Sequence, residues 1–182
     1  WRRKSLLQRT LLGNTTVDVA RLTAVPLFVY KPAAAAEEAT RLDRVLYATT
    51  FDPANDWLLP YVRDKGLAAK HLTLLHVGWR APDPVAETER RAYIRNRMAS
   101  LEAACQGCFE TVDARTETGE VRRRILRAER RIGVELIILG KHEQDGGFRK
   151  ILGSVAERVV HEARASVLLV PPPSTGPEGG RP

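Results

Sequence analysis

Two cysteines among 182 residues are too few to staple a small secreted scaffold, and point to a reducing, cytoplasmic setting. No run of about 18 apolar residues is present, so no segment reads as a membrane span. The opening Trp1-Arg2-Arg3-Lys4 lacks the long apolar core of a signal peptide. Aromatic residues make up 6%, which leaves few platforms for stacking single-stranded bases. Lysine is scarce as well, at 6 against 23 arginines. No helix-turn-helix or zinc-finger pattern and no Gly-x-Ser-x-Gly elbow occurs, and no carboxylate pair is placed for acid–base work. These absences leave no arrangement that points to catalysis.

What is there suits one ordinary domain with a remainder: 43% hydrophobic and 28% charged residues in 182. The formal net charge of +7 reads mostly as solvated helix faces, with no specific nucleic-acid partner.

Between residues 43 and 171, short apolar runs alternate with helical patterns. Arg44–Ala48 reads as a buried strand, followed by a turn at Asp52-Pro53 and a helix over 55–65. Leu72–Val77 is a second strand. Ile94, Met98, Leu101 and Cys105 then form one apolar helical stripe. Phe109–Ala114 alternates as a third strand. Val121, Ile125, Ala128 and Ile132 repeat the helical spacing, opposite Arg122, Arg123, Arg124, Arg127, Arg130 and Arg131. Val134–Leu139 is a continuous apolar run suited to a parallel strand covered on both faces. A glycine-containing loop over 140–147, a helix over 154–164 and a last strand, Ser166–Val170, complete the order. The expected fold is α/β: an open, doubly wound, five-stranded, mainly parallel sheet with helices on both faces.

The first 32 residues align with the end of this unit at a shift of 140 positions. Arg9 meets Arg149, Leu12 meets Leu152, Gly13 meets Gly153, Val19 meets Val159, and Val25–Tyr30 meets Ala165–Val170. A repeat at domain-length period signals tandem domains. Residues 1–32 are therefore expected to be the last helix and strand of an earlier copy. Residues 33–42 read as a linker, 43–171 as the complete domain and 172–182 as a disordered Pro/Gly-rich tail.

Leu136-Ile137-Ile138-Leu139-Gly140, then Ile151-Leu152-Gly153-Ser154-Val155-Ala156-Glu157, then Val167-Leu168-Leu169-Val170-Pro171 resembles the end of a universal stress protein domain. Leu74-Leu75-His76-Val77 is similar to that family's second strand, and Gly119 with Ile125 and Ala128 to its third helix. The resemblance implies a binding and dimerising module in the stress response. Many members hold ATP or another adenine nucleotide, with Mg2+ in the case of ATP, where the strand order of the sheet switches. Others bind none. The nucleotide-binding pattern is Gly, two residues, Gly, nine residues, then Gly and Ser or Thr, because glycines let backbone N–H groups approach phosphate at a helix start.

Gly140 and Gly153-Ser154 keep that pattern, while Glu143 replaces the second glycine and puts a carboxylate where phosphate is expected. At the end of the first strand, where binders carry Asp, Thr50 stands instead, beside Thr49. Gly146-Gly147, Arg149 and Lys150 remain close enough in sequence to hold an anion. The resemblance thus places Thr49, Thr50 and Val77 at the nucleoside and Gly140, Gly146, Gly153 and Ser154 at the phosphates. A nucleotide-independent regulatory or dimerisation domain and a slow ATPase are the alternatives. The resemblance also implies pairing through the last strand, with Val25–Tyr30 against Val167–Val170 of the same or another chain.

Cys105-Gln106-Gly107-Cys108 is a Cys-x-x-Cys, but it ends a helix, whereas a reactive thiol wants a helix start, and no further zinc ligands flank it. Two buried thiols at a helix-to-strand joint are expected. His71, His76, His142 and His161 form no nucleophile arrangement; His76 is expected at a strand end.

Overall fold

A computed structural model of the chain describes residues 14–23, 25–31, 42–51, 69–141 and 153–171. The helix expected over 55–65, most of the glycine loop, the linker and the tail lie outside the described residues, as do Gly146, Glu143 and His142.

The elements run α1 (Asn14–Leu22), β1 (Leu27–Val29), β2 (Leu42–Thr49), β3 (Ala69–Gly78), α2 (Pro84–Cys105), β4 (Phe109–Thr118), α3 (Val121–Ile132), β5 (Leu136–Gly140), α4 (Ser154–Glu162) and β6 (Ser166–Val170). They build one six-stranded sheet in the order β1-β6-β5-β2-β3-β4. The five strands of the expected domain are mutually parallel. The sixth, β1, adds antiparallel to β6, with Leu27 opposite Leu169, Phe28 opposite Leu168 and Val29 opposite Val167. Of the expected pairing of 25–30 with 167–170, the part from Leu27–Val29 to Val167–Leu169 is made, within one chain.

Strand alternation sorts the core into two layers. Val45, Tyr47, Leu72, Leu74, Leu136 and Ile138 pack with Ile94, Met98 and Cys105 of α2. Leu46, Leu75, Val77, Ile137 and Leu139 face the other way, onto Ile125, Leu126 and Ala128 of α3 and Ala156, Val159 and Val160 of α4. The α2 helix starts on Asp83, whose carboxylate accepts from Val85 N and Ala86 N at 2.9 Å, with Pro84 in the first turn, where its missing N–H is no loss. The α3 helix ends on Gly133 at φ 71°, a left-handed turn that glycine adopts without a Cβ penalty. Among the described residues, no helix is long and apolar enough to cross a membrane.

Candidate functional site

The chain leaves β2 towards β3 on one side and returns through β5 and β6 on the other. The strand order therefore reverses between β2 and β5, the place where open α/β sheets take ligands outside the carboxyl ends of the strands. The register sets Thr49 beside His76 and Ala48 beside Leu139, so the ends of β3, β2 and β5 meet at this edge. Three of the predicted residues, Thr49, Val77 and Gly140, arrive there on adjacent strands. Parallel connection brings the start of α4, Gly153-Ser154, to the same edge.

Thr49 is buried, and its polar atoms are engaged by the protein. Its Oγ1 accepts from Phe51 N at 3.1 Å, and its carbonyl accepts from His76 Nδ1 at 3.0 Å. Because a carbonyl only accepts, this bond fixes the His76 proton on Nδ1 and leaves Nε2 as the bare nitrogen. Burial lowers the His76 pKa; the bond to Thr49 acts against that, and the nearby Arg90 cation adds to the lowering. Phe51 stacks on the imidazole at 4.2 Å between ring centroids and presents an edge to Tyr93 at 6.2 Å. Phe51 stands at φ 60°, left-handed for a non-glycine residue, yet it is buried in the α2 layer. Thr50 beside it is exposed.

Val77 faces the opposite layer, so the expected nucleoside residues fall on two faces of the strand ends. After it, Gly78 lets its neighbours close in: a Cβ there would stand 3.2 Å from His76 Nε2 and 3.5 Å from Arg90. The turn into α2 is tied by Glu87, whose carboxylate accepts from Ala81 N, Arg90 and Arg91 at 2.7–2.9 Å. These donors hold the Glu87 pKa far below the usual carboxylate range.

Gly153 caps α4 at φ −54° and ψ 140° with no side-chain acceptor, and a Cβ there would meet nothing within 4 Å. Ser154 is exposed. A helix start with no side-chain cap among the described residues offers backbone N–H groups to an anion.

Next to Gly140, Lys141 is buried to 2% exposure, and its Nζ donates to Thr23 O at 2.7 Å. Across the β1–β6 edge, Lys31 donates from Nζ to Val160 O and Ala163 O at 2.5 Å and from its backbone N to Ser166 Oγ at 3.1 Å. Burial lowers the Lys31 pKa and the Glu129 charge raises it. Glu129, also buried, accepts from Arg164 N and Ala165 N. None of these three was legible beforehand as a junction residue. For Lys141, only its adjacency to Gly140 hinted at a special place.

Of the two thiols expected to be buried, Cys105 is, whereas Cys108 is only half-buried. Cys105 is buried, and burial pushes its thiol up to about 11, away from reactivity. Cys108 N bonds Cys105 O at 3.1 Å in a turn that Gly107 closes at φ 81°. Among the described residues, no three His, Cys, Asp or Glu side chains group as metal ligands.

A doubly wound α/β domain with its strand switch between β2 and β5 is the class that this geometry defines. The profile described as the universal stress protein family matches residues 41–171, and the chain belongs to that family. A comparison with curated proteins found no match. Among solved structures, the chain is similar to the hypothetical protein MJ0577 at 26% identity and a TM-score of 0.61, over 75% of this chain and all of that one. It is similar to a universal stress protein from Archaeoglobus fulgidus at 22% identity and a TM-score of 0.62, over 95% of this chain but 59% of the other. A universal stress protein family protein from Arabidopsis thaliana, with AMP bound, aligns at 17% identity and a TM-score of 0.53, over 75% of this chain and 97% of that one.

Proposed function

We propose that this chain is a binding module that takes an adenine nucleotide at the ends of β2, β3 and β5, with Mg2+ where the ligand is ATP. The observation that carries the reading is the Gly153-Ser154 start of α4, with no side-chain cap among the described residues, at the same sheet edge as Gly140. The AMP-bound relative supports the ligand class. Gly140, Gly146, Gly153 and Ser154 border the phosphates in this reading. Thr49, Thr50 and Val77 border the nucleoside; Thr49 Oγ1 already accepts from Phe51 N, which leaves its hydroxyl proton as the donor it can offer. The test is native mass spectrometry with and without ATP and Mg2+. An adenine-nucleotide increment that is lost in Ser154→Trp is expected; no increment at high ATP overturns the reading. Hydrolysis above background would move it to a slow ATPase.

A second reading concerns the architecture, and the β1 ladder favours it: residues 1–32 end a first repeat, 33–42 link, and 43–171 form a complete second domain. Shifted by 140, α1 (Asn14–Leu22) falls on α4 (Ser154–Glu162). Thr23 N bonds Val19 O at 2.9 Å, just as Ala163 N bonds Val159 O at 2.9 Å. The shift also exchanges the pair Leu27–Leu169 with the pair Val29–Val167, as a two-fold ladder requires. The chain would then be a pseudo-dimer through its last strands, in a cytoplasmic setting. A one-chain mass on gel filtration with residues 14–31 resistant to protease is expected. Rapid cleavage of that segment would overturn the pairing, and a two-chain mass would move the contact to a homodimer.

A further inference from the structure

The outer side of α3 has no part in the proposed nucleotide site. From its solvent face project Arg123, Arg127 and Arg130, at offsets of 0, 4 and 7, one row along the helix. Between α3 and α4 runs an open groove of about 400 Å³ lined by Arg122, Arg123, Leu126, Arg127, Arg130 and Glu162. Carboxylates account for only part of this charge. Arg122 pairs with Glu162 at 2.7 Å, and Arg123 lies 3.5 Å from Glu120. Arg124 and Arg131 turn away to Glu117. Arg127 and Arg130 make no ion pair among the described residues. The Nε of Arg122 is buried in the groove wall without a hydrogen-bond acceptor, since Glu120 stands 3.6 Å away.

We infer that this groove is a docking surface for the phosphodiester backbone of single-stranded nucleic acid, held through the Arg123–Arg127–Arg130 row without reading its bases. Charge complementarity and the donor type select the partner. Guanidinium forks match phosphate oxygens bidentately. A partner helix would need an apolar stripe to bury, and Leu126, the groove's apolar residue, is itself 4% exposed. An anionic membrane surface would attract the same arginines by charge alone, so binding of anionic lipid vesicles without binding of oligo(dT) would overturn the inference. No aromatic side chain lines the groove, so bases have no ring to stack on, and in this reading the guanidinium groups are committed to phosphate.

The experiment measures anisotropy of a labelled oligo(dT) across a salt series with the whole chain. The variants are Arg127→Ala/Arg130→Ala and, as an equal charge loss on the other face of the sheet, Arg91→Ala/Arg95→Ala. Each single-strand phosphate contact contributes about 0.7 to the slope of log K against log salt, so losing two lowers it by about 1.4. By the same relation, affinity falls about 25-fold at 0.1 M salt. The control pair is expected to keep the wild-type slope, and Arg127→Lys/Arg130→Lys to recover most of it. Equal losses in both pairs, no salt-dependent binding by the wild type, or binding of inorganic polyphosphate without binding of oligo(dT) would each overturn the inference.

Discussion

Thr23 and Ala163 follow the ends of α1 and α4, and each gives its carbonyl oxygen to a lysine from beyond its own helix. Lys141 Nζ lies 2.7 Å from Thr23 O, and Lys31 Nζ lies 2.5 Å from Ala163 O. A cation at a helix C-terminus satisfies orphan carbonyls and meets the negative end of the helix dipole. Lys141 follows β5 and reaches the end of α1, while Lys31 follows β1 and reaches the end of α4, so each side of the β1–β6 edge holds the other by its helix end.

Lys31→Ala is expected to cost about 1–2 kcal/mol, because two carbonyls of α4 lose their donor in a half-buried place. Urea denaturation measures the loss. Hydrogen exchange over residues 14–31 should rise with it, and unchanged exchange would show that the lysine does not hold the segment.

Glu129→Ala should be more damaging, at about 2–4 kcal/mol. It strips the acceptor from Arg164 N and Ala165 N and leaves the Lys31 ammonium without its nearby carboxylate. Glu129→Gln keeps one acceptor oxygen and should fall between the two. A melt in which Gln and Ala lose equally would assign the whole effect to charge.

At Phe51, glycine should be tolerated better than alanine, although it is smaller. Both lose the stack on His76 and the burial in the α2 layer, about 3–5 kcal/mol for truncation of a core phenylalanine. Only alanine must also hold φ 60° with a Cβ, which costs about 1 kcal/mol more. Paired denaturant midpoints decide it, and alanine at or above glycine would contradict the left-handed backbone.

His76 should make the fold acid-sensitive. Its pKa is lowered in the folded chain, so below the unfolded value of about 6.5 the unfolded chain binds more protons. Its contribution is therefore fully present above that pH and is lost as pH falls through the folded pKa. Urea midpoints at pH 7.5 and 5.5 should differ more for the wild type than for His76→Gln. Equal differences would remove His76 as the cause.

Much of the scaffold is legible in the residues, because burial writes period into sequence. Val167–Val170 is a continuous apolar run, and Ser166–Val170 forms the strand with the expected bounds. The stripe from Ile94 to Cys105 marks α2, but its first ten residues, polar and solvated, carry no apolar period; Asp83-Pro84 is their one start signal. The site is less legible. Gly140 and Gly153-Ser154 announce themselves because backbone approach needs glycine. The left-handed turn at Phe51 does not, since glycine is the residue that normally advertises such a backbone. Lys31, Glu129 and Lys141 are charged residues in a chain where 28% are charged, and nothing local separates a buried one from a solvated one.

The β1–β6 ladder also bears on how the molecule assembles. Leu27 and Leu169 are 142 residues apart in sequence, whereas β2–β3 and β5–β6 join neighbours separated by about 30. Closing so long a loop costs entropy before any contact repays it, while β2–β3, β3–β4 and β5–β6 close far shorter ones and β2–β5 spans 91 residues. The five parallel strands are therefore expected to take shape before the N-terminal edge docks, which pulsed hydrogen exchange during refolding checks. The same order run backwards makes residues 14–31 the first cooperative unit to open, at a free energy below that of global unfolding.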